Sequence, residues 1–173
     1  EGRNHMQDDV SAASQSVYAA LNQMGIAYEV VHHPAANSTE EADAYIEGHA
    51  GVRSKTLFLC NRKKNAYYLL VMDDGKRLDM KQLGGLLDEK GMQFASAAQL
   101  QQKMALTPGV VSLFGLLNNE EHDIRVCLDK DMLSEPRISF HPNDNRQTLF
   151  MAMADVFRFV DALKYSHTIV DLT

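Results

Sequence analysis

Residues Gly51–Met72 read GVRSKTLFLCNRKKNAYYLLVM and predict the centre of the fold. Two apolar runs, Lys55–Asn61 and Ala66–Met72, are typical of β-strands, and a polar turn separates them. Strands this apolar are usually covered on both faces, so we expect the pair to lie centrally in a sheet. Lys55 opens the first strand. A lysine at that place is either an edge residue that reaches towards solvent or a positive charge placed for function.

Length and composition predict one globular domain, since the chain has 173 residues and 45% of them are hydrophobic. Residues 1–6, EGRNHM, are typical of a cloning remnant, which leaves residues 7–173 as the domain. No signal peptide or membrane-spanning run is recognised. Cys60 and Cys127 lie in apolar runs, which predicts buried thiols and a cytoplasmic protein. The net charge of −6 argues against wrapping a nucleic-acid backbone, although not against gripping a terminal nucleotide.

Helical and strand patterns alternate along the rest of the chain. Helices are predicted at residues 10–24, 38–47, 79–89, 96–103 and 155–163. Further strands are predicted at residues 28–32, 92–95, 124–128, 137–140, 148–154 and 167–172. This order predicts a single α+β domain with a central mixed β-sheet, partly barrel-like, flanked by helices.

The segment Leu106–Asn119, LTPGVVSLFGLLNN, is the most unusual part of the sequence. Gly109 and Gly115 permit a positive φ and let a ligand approach the backbone, whose N–H groups could then hold a carbonyl oxygen. The alternative is a hairpin that merely packs on the core. His141 precedes a proline at a strand end, where a histidine is more often a hydrogen-bonded structural residue than a catalyst.

No metal or cofactor is expected from the motifs. His32 and His33 are adjacent in a strand and point to opposite faces, which makes them a poor ligand pair. The sequence contains no H-E-x-x-H, C-x-x-C or P-loop pattern. Neither cysteine has a histidine or a cation beside it in the sequence, so a thiolate nucleophile is not supported.

Four segments, in this order, resemble the bacterial prolyl-tRNA editing family, whose members are freestanding aminoacyl-tRNA deacylases related to the editing insertion domain of prolyl-tRNA synthetase. The segments are His33-Pro34 with residues 39–42, residues 54–59, residues 107–116, and residues 140–142 followed by Thr148. The resemblance covers nearly the whole chain after residue 6, and the Ala-tRNA(Pro) deacylases look closest. It implies a trans-editing hydrolase that removes a small amino acid from mischarged tRNA and excludes the larger proline by size.

The resemblance also implies the site residues. Lys55 is the key functional residue, Gly109 begins the substrate-facing loop, and His141 is the histidine before proline. Contacts with the substrate are expected from Thr56, Val110, Ser112 and Phe114. Lys55 would bind the terminal phosphate or polarise the ester carbonyl, the Gly109 loop would donate backbone N–H groups, and His141 would orient the ribose or hold the loop.

Two positions depart from the family pattern. Thr56 stands where asparagine is common, and Leu113 stands where the loop commonly has proline. Threonine keeps a hydroxyl but loses the reach of the amide, and leucine frees φ and restores an N–H. Both departures bear on which amino acid is removed more than on the class of reaction.

The expected partners are the acceptor end of tRNA(Pro) and prolyl-tRNA synthetase, with no membrane. Arg53, Arg62, Lys63 and Lys64 could contact acceptor-stem phosphates, although exposed charges in a turn are usually only solvated. Three alternatives stay open: a deacylase for another small amino acid such as serine, a noncatalytic protein that binds aminoacyl-tRNA or an amino acid, and a structural partner of a synthetase.

Overall fold

The structure, a computed structural model, describes residues 11–173. Residues 1–10 lie outside the described part, and with them the predicted remnant 1–6 and the predicted helix start at Val10. The helices are α1 (Ala12–Met24), α2 (Thr39–Tyr45), α3 (Met80–Leu87), α4 (Ala97–Met104) and α5 (Met153–Ala162). The strands are β1 (Tyr28–His32), β2 (Val52–Cys60), β3 (Tyr67–Asp73), β4 (Gln93–Phe94), β5 (Ile124–Asp129), β6 (Arg137–Phe140), β7 (Gln147–Ala152) and β8 (His167–Val170). Three 3₁₀ turns cover Pro108–Val110, Leu113–Asn118 and Lys130–Met132.

The eight strands of the described range form one mixed sheet. Their order is β1-β7-β6-β2-β3-β5-β8, and β4 pairs with β2 beside this path. β2 is antiparallel to β3 and parallel to β6, so the predicted mixed sheet is confirmed. β1 and β8 lie at opposite ends of the order and do not pair with each other. The sheet is therefore not closed, and the partly barrel-like form that we predicted is wrong.

Both faces of the central strand β3 are covered. Leu69 and Val71 belong to a large apolar cluster that includes residues of α1, α4 and α5. Leu70 and Met72 point to the other face and pack with Leu83 of α3. Successive side chains of a strand alternate between faces, so a continuous apolar run needs cover on both sides. The expected burial of this strand pair is confirmed.

Two boundaries differ from the prediction in ways that affect the site. β2 begins at Val52, so Lys55 lies within the strand rather than at its start. The apolar run 148–154 contains both the end of β7 and the start of α5, because a short apolar run has no period that separates strand from helix.

The segment 106–119 forms two 3₁₀ turns, not the hairpin of the alternative reading. Neither Gly109 nor Gly115 has a positive φ. Gly115 is instead needed for packing, because a Cβ there would lie 2.7 Å from Met104 Sδ and 2.8 Å from Leu106 Cδ1. Of these two glycines, Gly109 is the one whose backbone is open, since a Cβ at this position would meet nothing within 4 Å.

Cys60 and Cys127 are buried free thiols, as the sequence predicted. Burial raises the pKa of Cys127 to about 12, so this thiol is a poor nucleophile at neutral pH. No helix within residues 11–173 has the length and apolar character needed to span a membrane.

Candidate active site

The central strand β2 has a gap in its pairing along one edge. Residues 52–53 pair with β6, and residues 59–60 pair with β4. Between them, residues 54–58 have β3 as their only strand neighbour in the part of the chain that the structure describes. The middle of the most central strand therefore presents an open edge.

The backbone of Thr56 faces this gap. Peptide groups of alternate residues in a strand point to the same edge. The Ser54 N–H donates to Ser139 Oγ at 3.4 Å on the β6 side, and the Phe58 carbonyl accepts from the Ala95 N–H at 3.0 Å on the β4 side. Thr56 lies midway between Ser54 and Phe58. Its N–H and C=O therefore point into the gap, where a ligand can pair with them as a strand would.

A cleft of about 390 Å³ opens at the gap. The sheet forms one side of it through β2 and the end of β6. The segment before α2 and the first 3₁₀ turn form the other side. Its lining includes residues 36–39, residues 54–57, Pro108, Gly109, Val111 and residues 140–141.

The Lys55 ammonium lies at the cleft and is held by the turn between β3 and α3. Lys55 Nζ donates to the Lys76 carbonyl in that turn. The fully buried Asp129 carboxylate fixes the turn, because it accepts from the Asp73 N–H at 3.1 Å and from Lys76 Nζ at 2.9 Å. The position of Lys55 thus depends on a carboxylate of β5, two strands away in the sheet.

Two carboxyl groups accompany Lys55, and nothing in the sequence pattern had indicated them. Asp74 Oδ2 is buried and no donor among the described residues reaches it. Burial, together with the neighbouring carboxyls of Asp43 and Asp73, raises the pKa of Asp74 from 3.8 to about 7, while Lys55 acts in the opposite direction. Asp74 and Asp43 can hydrogen-bond to each other only while one of them carries a proton. The pair therefore holds a proton below about pH 7.

His141 is fixed in one tautomer at the edge of the cleft. Its Nδ1 lies 3.2 Å from the Gln147 carbonyl, which can only accept, so Nδ1 carries the proton and Nε2 keeps its lone pair. Burial lowers the pKa of His141, and this effect outweighs the contact with the Gln147 carbonyl, which acts in the opposite direction. The imidazole is therefore neutral at pH 7 and offers an acceptor.

Three of the predicted substrate contacts do not line the cleft. Ser112 is 1% exposed, accepts from the Phe114 N–H at 3.0 Å and donates to Asn143 Oδ1 at 2.6 Å. Phe114 is fully buried and packs edge-on against Phe140. Val110 packs against the large apolar cluster. Their place at the cleft is taken by the neighbouring turn residues Pro108 and Val111.

The other four predicted residues, Lys55, Thr56, Gly109 and His141, border the same cleft. The segment 36–39 is a further wall that we did not expect. In the sequence, Ser38 had predicted only a helix start, and Thr39 had entered only as part of a segment that resembles the family. Within residues 11–173, no three histidine, cysteine, aspartate or glutamate side chains come together as a metal site would require.

Residues 33–159 match the family model described as the aminoacyl-tRNA editing domain. The chain belongs to the aminoacyl-tRNA editing domain family. The match includes the whole cleft, and it confirms the resemblance that the four sequence segments indicated.

Individual relatives agree with this membership. The chain is 33% identical over 150 residues to the prolyl-tRNA editing protein ProX of Acetoanaerobium sticklandii, a match that covers 87% of this chain and 92% of that protein. It is 29% identical over 158 residues to the prolyl-tRNA synthetase associated domain-containing protein 1 of Bos taurus, covering 86% and 91%. A crystal structure of a candidate trans-editing enzyme for prolyl-tRNA synthetase superposes with a TM-score of 0.75 at 19% identity, covering 94% and 98%. This last likeness concerns the fold.

The raised pKa of Asp74 predicts a pH-dependent stability. Below about pH 4 Asp74 is protonated in both the folded and the unfolded chain. As the pH rises from about 4 to 7, the unfolded chain loses this proton while the folded chain keeps it, so the free energy of unfolding decreases through that range. Asp74→Asn cannot ionise and keeps a donor for Asp43. We expect the variant to melt about 2–4 °C above the wild type at pH 8 and level with it near pH 4.

Calorimetric melting temperatures from pH 4 to pH 8 provide the measurement. Asp161→Asn makes the same charge change at an exposed position and is the matched control. An offset between Asp74→Asn and the wild type that stays constant across this range would contradict the assigned proton.

Proposed function

We propose that the protein is a trans-editing hydrolase that deacylates mischarged tRNA, with Ala-tRNA(Pro) as its substrate. The observation that carries the proposal is the cleft at the gap in β2, which Lys55, Gly109 and His141 all border. Family membership and the relative named prolyl-tRNA editing protein support the reaction class. tRNA is accordingly the proposed partner.

The reaction makes modest demands, because an aminoacyl ester is already reactive. The protein has to position the ester, neutralise the developing oxyanion and admit water. Lys55 has three N–H donors, so it can keep its bond to the Lys76 carbonyl and give another donor to the ester carbonyl. The Thr56 N–H points into the same gap, and the exposed backbone at Gly109 lies across the cleft. We assign these groups to the oxyanion.

The charges around Lys55 favour this role over phosphate binding. The region around Lys55 contains the carboxyls of Asp73, Asp74 and Asp43. Their proximity is one cause of the raised pKa of Asp74. A phosphate placed on Lys55 would be repelled by these carboxyls, whereas a neutral ester carbonyl would not. The lysine is therefore better suited to the reacting carbonyl than to the terminal phosphate.

His141 is assigned an orienting role. Its free Nε2 can accept a hydrogen bond from a ribose hydroxyl or from water, while Nδ1 is engaged with the Gln147 carbonyl. The lowered pKa makes the imidazole a weak base, which favours orientation over general-base catalysis.

No side-chain nucleophile is needed. Ser54, which lines the cleft, uses its hydroxyl to donate to the Ser139 carbonyl. Both cysteines are buried. The attacking group is then a water molecule, or the neighbouring ribose hydroxyl acting through one.

Selectivity would come from the apolar part of the cleft, formed by Leu57, Pro108, Val111 and Phe140. A packed pocket excludes a larger side chain because that side chain must displace atoms around it. We further propose that the protein acts in the cytoplasm, where it would meet mischarged tRNA as prolyl-tRNA synthetase releases it.

Lys55→Ala should lower kcat for the deacylation of Ala-tRNA(Pro) by about 100-fold or more, the usual effect of losing one oxyanion donor. The fold should persist, because a partly exposed lysine contributes little to stability. Single-turnover deacylation rates and circular dichroism spectra provide the measurement. Lys130→Ala, at an exposed position on another turn, is the control. Turnover close to that of the wild type in Lys55→Ala would remove this lysine from the mechanism.

Selectivity gives a second prediction for the same cleft. The kcat/KM for alanyl-tRNA(Pro) should exceed that for prolyl-tRNA(Pro) by about 10- to 200-fold. Seryl-tRNA(Pro) should be an intermediate substrate, because the Thr56 hydroxyl in the cleft can pair with the seryl hydroxyl, whereas Ser112 is buried and engaged. A prolyl ester cleaved as fast as the alanyl ester would contradict the exclusion of proline by size. A preference for the seryl ester would keep the mechanism and change the substrate.

A further inference from the structure

A second groove continues from the candidate active site along the open edge of β2. It has a volume of about 290 Å³. Thr56, Leu57, Pro108 and Val111 line both the cleft and this groove, so the two cavities form one continuous surface. The groove extends past Phe58 to Phe94. The mechanism proposed above uses the cleft and leaves this extension unexplained.

Phe94 is an exposed aromatic ring on a fixed backbone. Phe94 is 62% exposed, the largest exposed fraction among the large hydrophobic residues in residues 11–173. Its backbone is held by pairing with Leu59 of the central strand, and the next residue, Ala95, donates its N–H to the Phe58 carbonyl at 3.0 Å. A ring kept in water by a rigid two-residue strand loses little conformational freedom when a flat partner covers it.

The end of β2 beyond Phe94 carries a group of positive charges. Arg62, Lys63 and Lys64 occupy the turn after β2, and Lys90 is joined to them because the Arg62 N–H donates to its carbonyl at 3.0 Å. All four side chains are exposed, and no ion pair within residues 11–173 involves them. In a chain of net charge −6, such an unneutralised cluster is complementary to phosphates.

We propose that this groove holds the unpaired 3′ end of the tRNA and that a nucleobase upstream of the aminoacylated nucleotide stacks on Phe94. The order along β2 supports this occupant: Lys55 at the reacting ester, the groove next, then the aromatic ring, and last the cations at the phosphates that follow. Aromatic rings combined with a positively charged track are the usual means of binding single-stranded nucleic acid. The inference rests on the proposed function, because that function makes tRNA the ligand.

The test measures binding, so that it does not depend on turnover. Phe94→Ala should weaken the affinity for uncharged tRNA(Pro) by about 5- to 150-fold, the range expected for losing one stacked base. Phe94→Trp should restore it. The effect should disappear on the same tRNA shortened by all four of its unpaired 3′ nucleotides, because the stacked base is then absent. Leu86→Ala, which truncates another exposed apolar residue at 48% exposure, is the control and should change nothing.

A parallel kinetic arm separates this inference from the proposed function. If the wild type deacylates Ala-tRNA(Pro), Phe94→Ala should raise KM for that substrate but not for alanyl-adenosine, which has no upstream base. An equal rise of KM for both esters would place Phe94 at the aminoacyl group and overturn the inference. An unchanged affinity of Phe94→Ala for full-length tRNA would overturn it too. Absence of any deacylation by the wild type would refute the proposed function alone, since the binding arm would still decide the role of Phe94.

Discussion

The interrupted edge of β2 is the constraint on which the candidate site depends. A central strand normally has both edges paired, and an unpaired backbone group in the interior is costly. β2 is paired at its two ends by β6 and β4 and is open between them, so the N–H and C=O of Thr56 face a cleft rather than a neighbour. The fold thereby presents backbone donors with side-chain groups beside them at a fixed place, which is what an ester with a developing negative charge requires.

The charges of the site are arranged through the turn after β3 rather than through β2 itself. Buried Asp129 fixes this turn, and the turn carbonyl of Lys76 holds Lys55. Asp74 of the same turn lies near Asp43 of α2, and burial together with that carboxyl raises the pKa of Asp74. This connection joins a core carboxylate, the lysine proposed to act on the ester, and the helix that follows the cleft wall. Below about pH 7 the raised pKa leaves Asp74 uncharged, so this carboxyl then adds no negative charge beside Lys55.

The sequence predicted the strands and the family better than the arrangement of the site. The apolar runs around Lys55 identified the central strand pair, and the motif resemblance identified Lys55, Gly109 and His141, which all border one cleft. The gap in β2 was beyond prediction, because it depends on where two distant strands stop pairing. The Asp43–Asp74 contact spans two elements with no local pattern. Ser112 and Phe114 were misplaced because the 3₁₀ turns of their segment have no period that separates the exposed from the buried residues.

The open edge at Thr56 can be tested directly by amide hydrogen exchange, read by NMR with and without a saturating amide-linked alanyl-adenosine that cannot be hydrolysed. If the carbonyl of the analogue occupies the gap, the Thr56 N–H gains a hydrogen bond in the complex. Its exchange rate should then fall by about tenfold or more. Amides of β8, at the far edge of the sheet, should be unaffected. Exchange at Thr56 that stays unchanged while the analogue is bound would contradict the account.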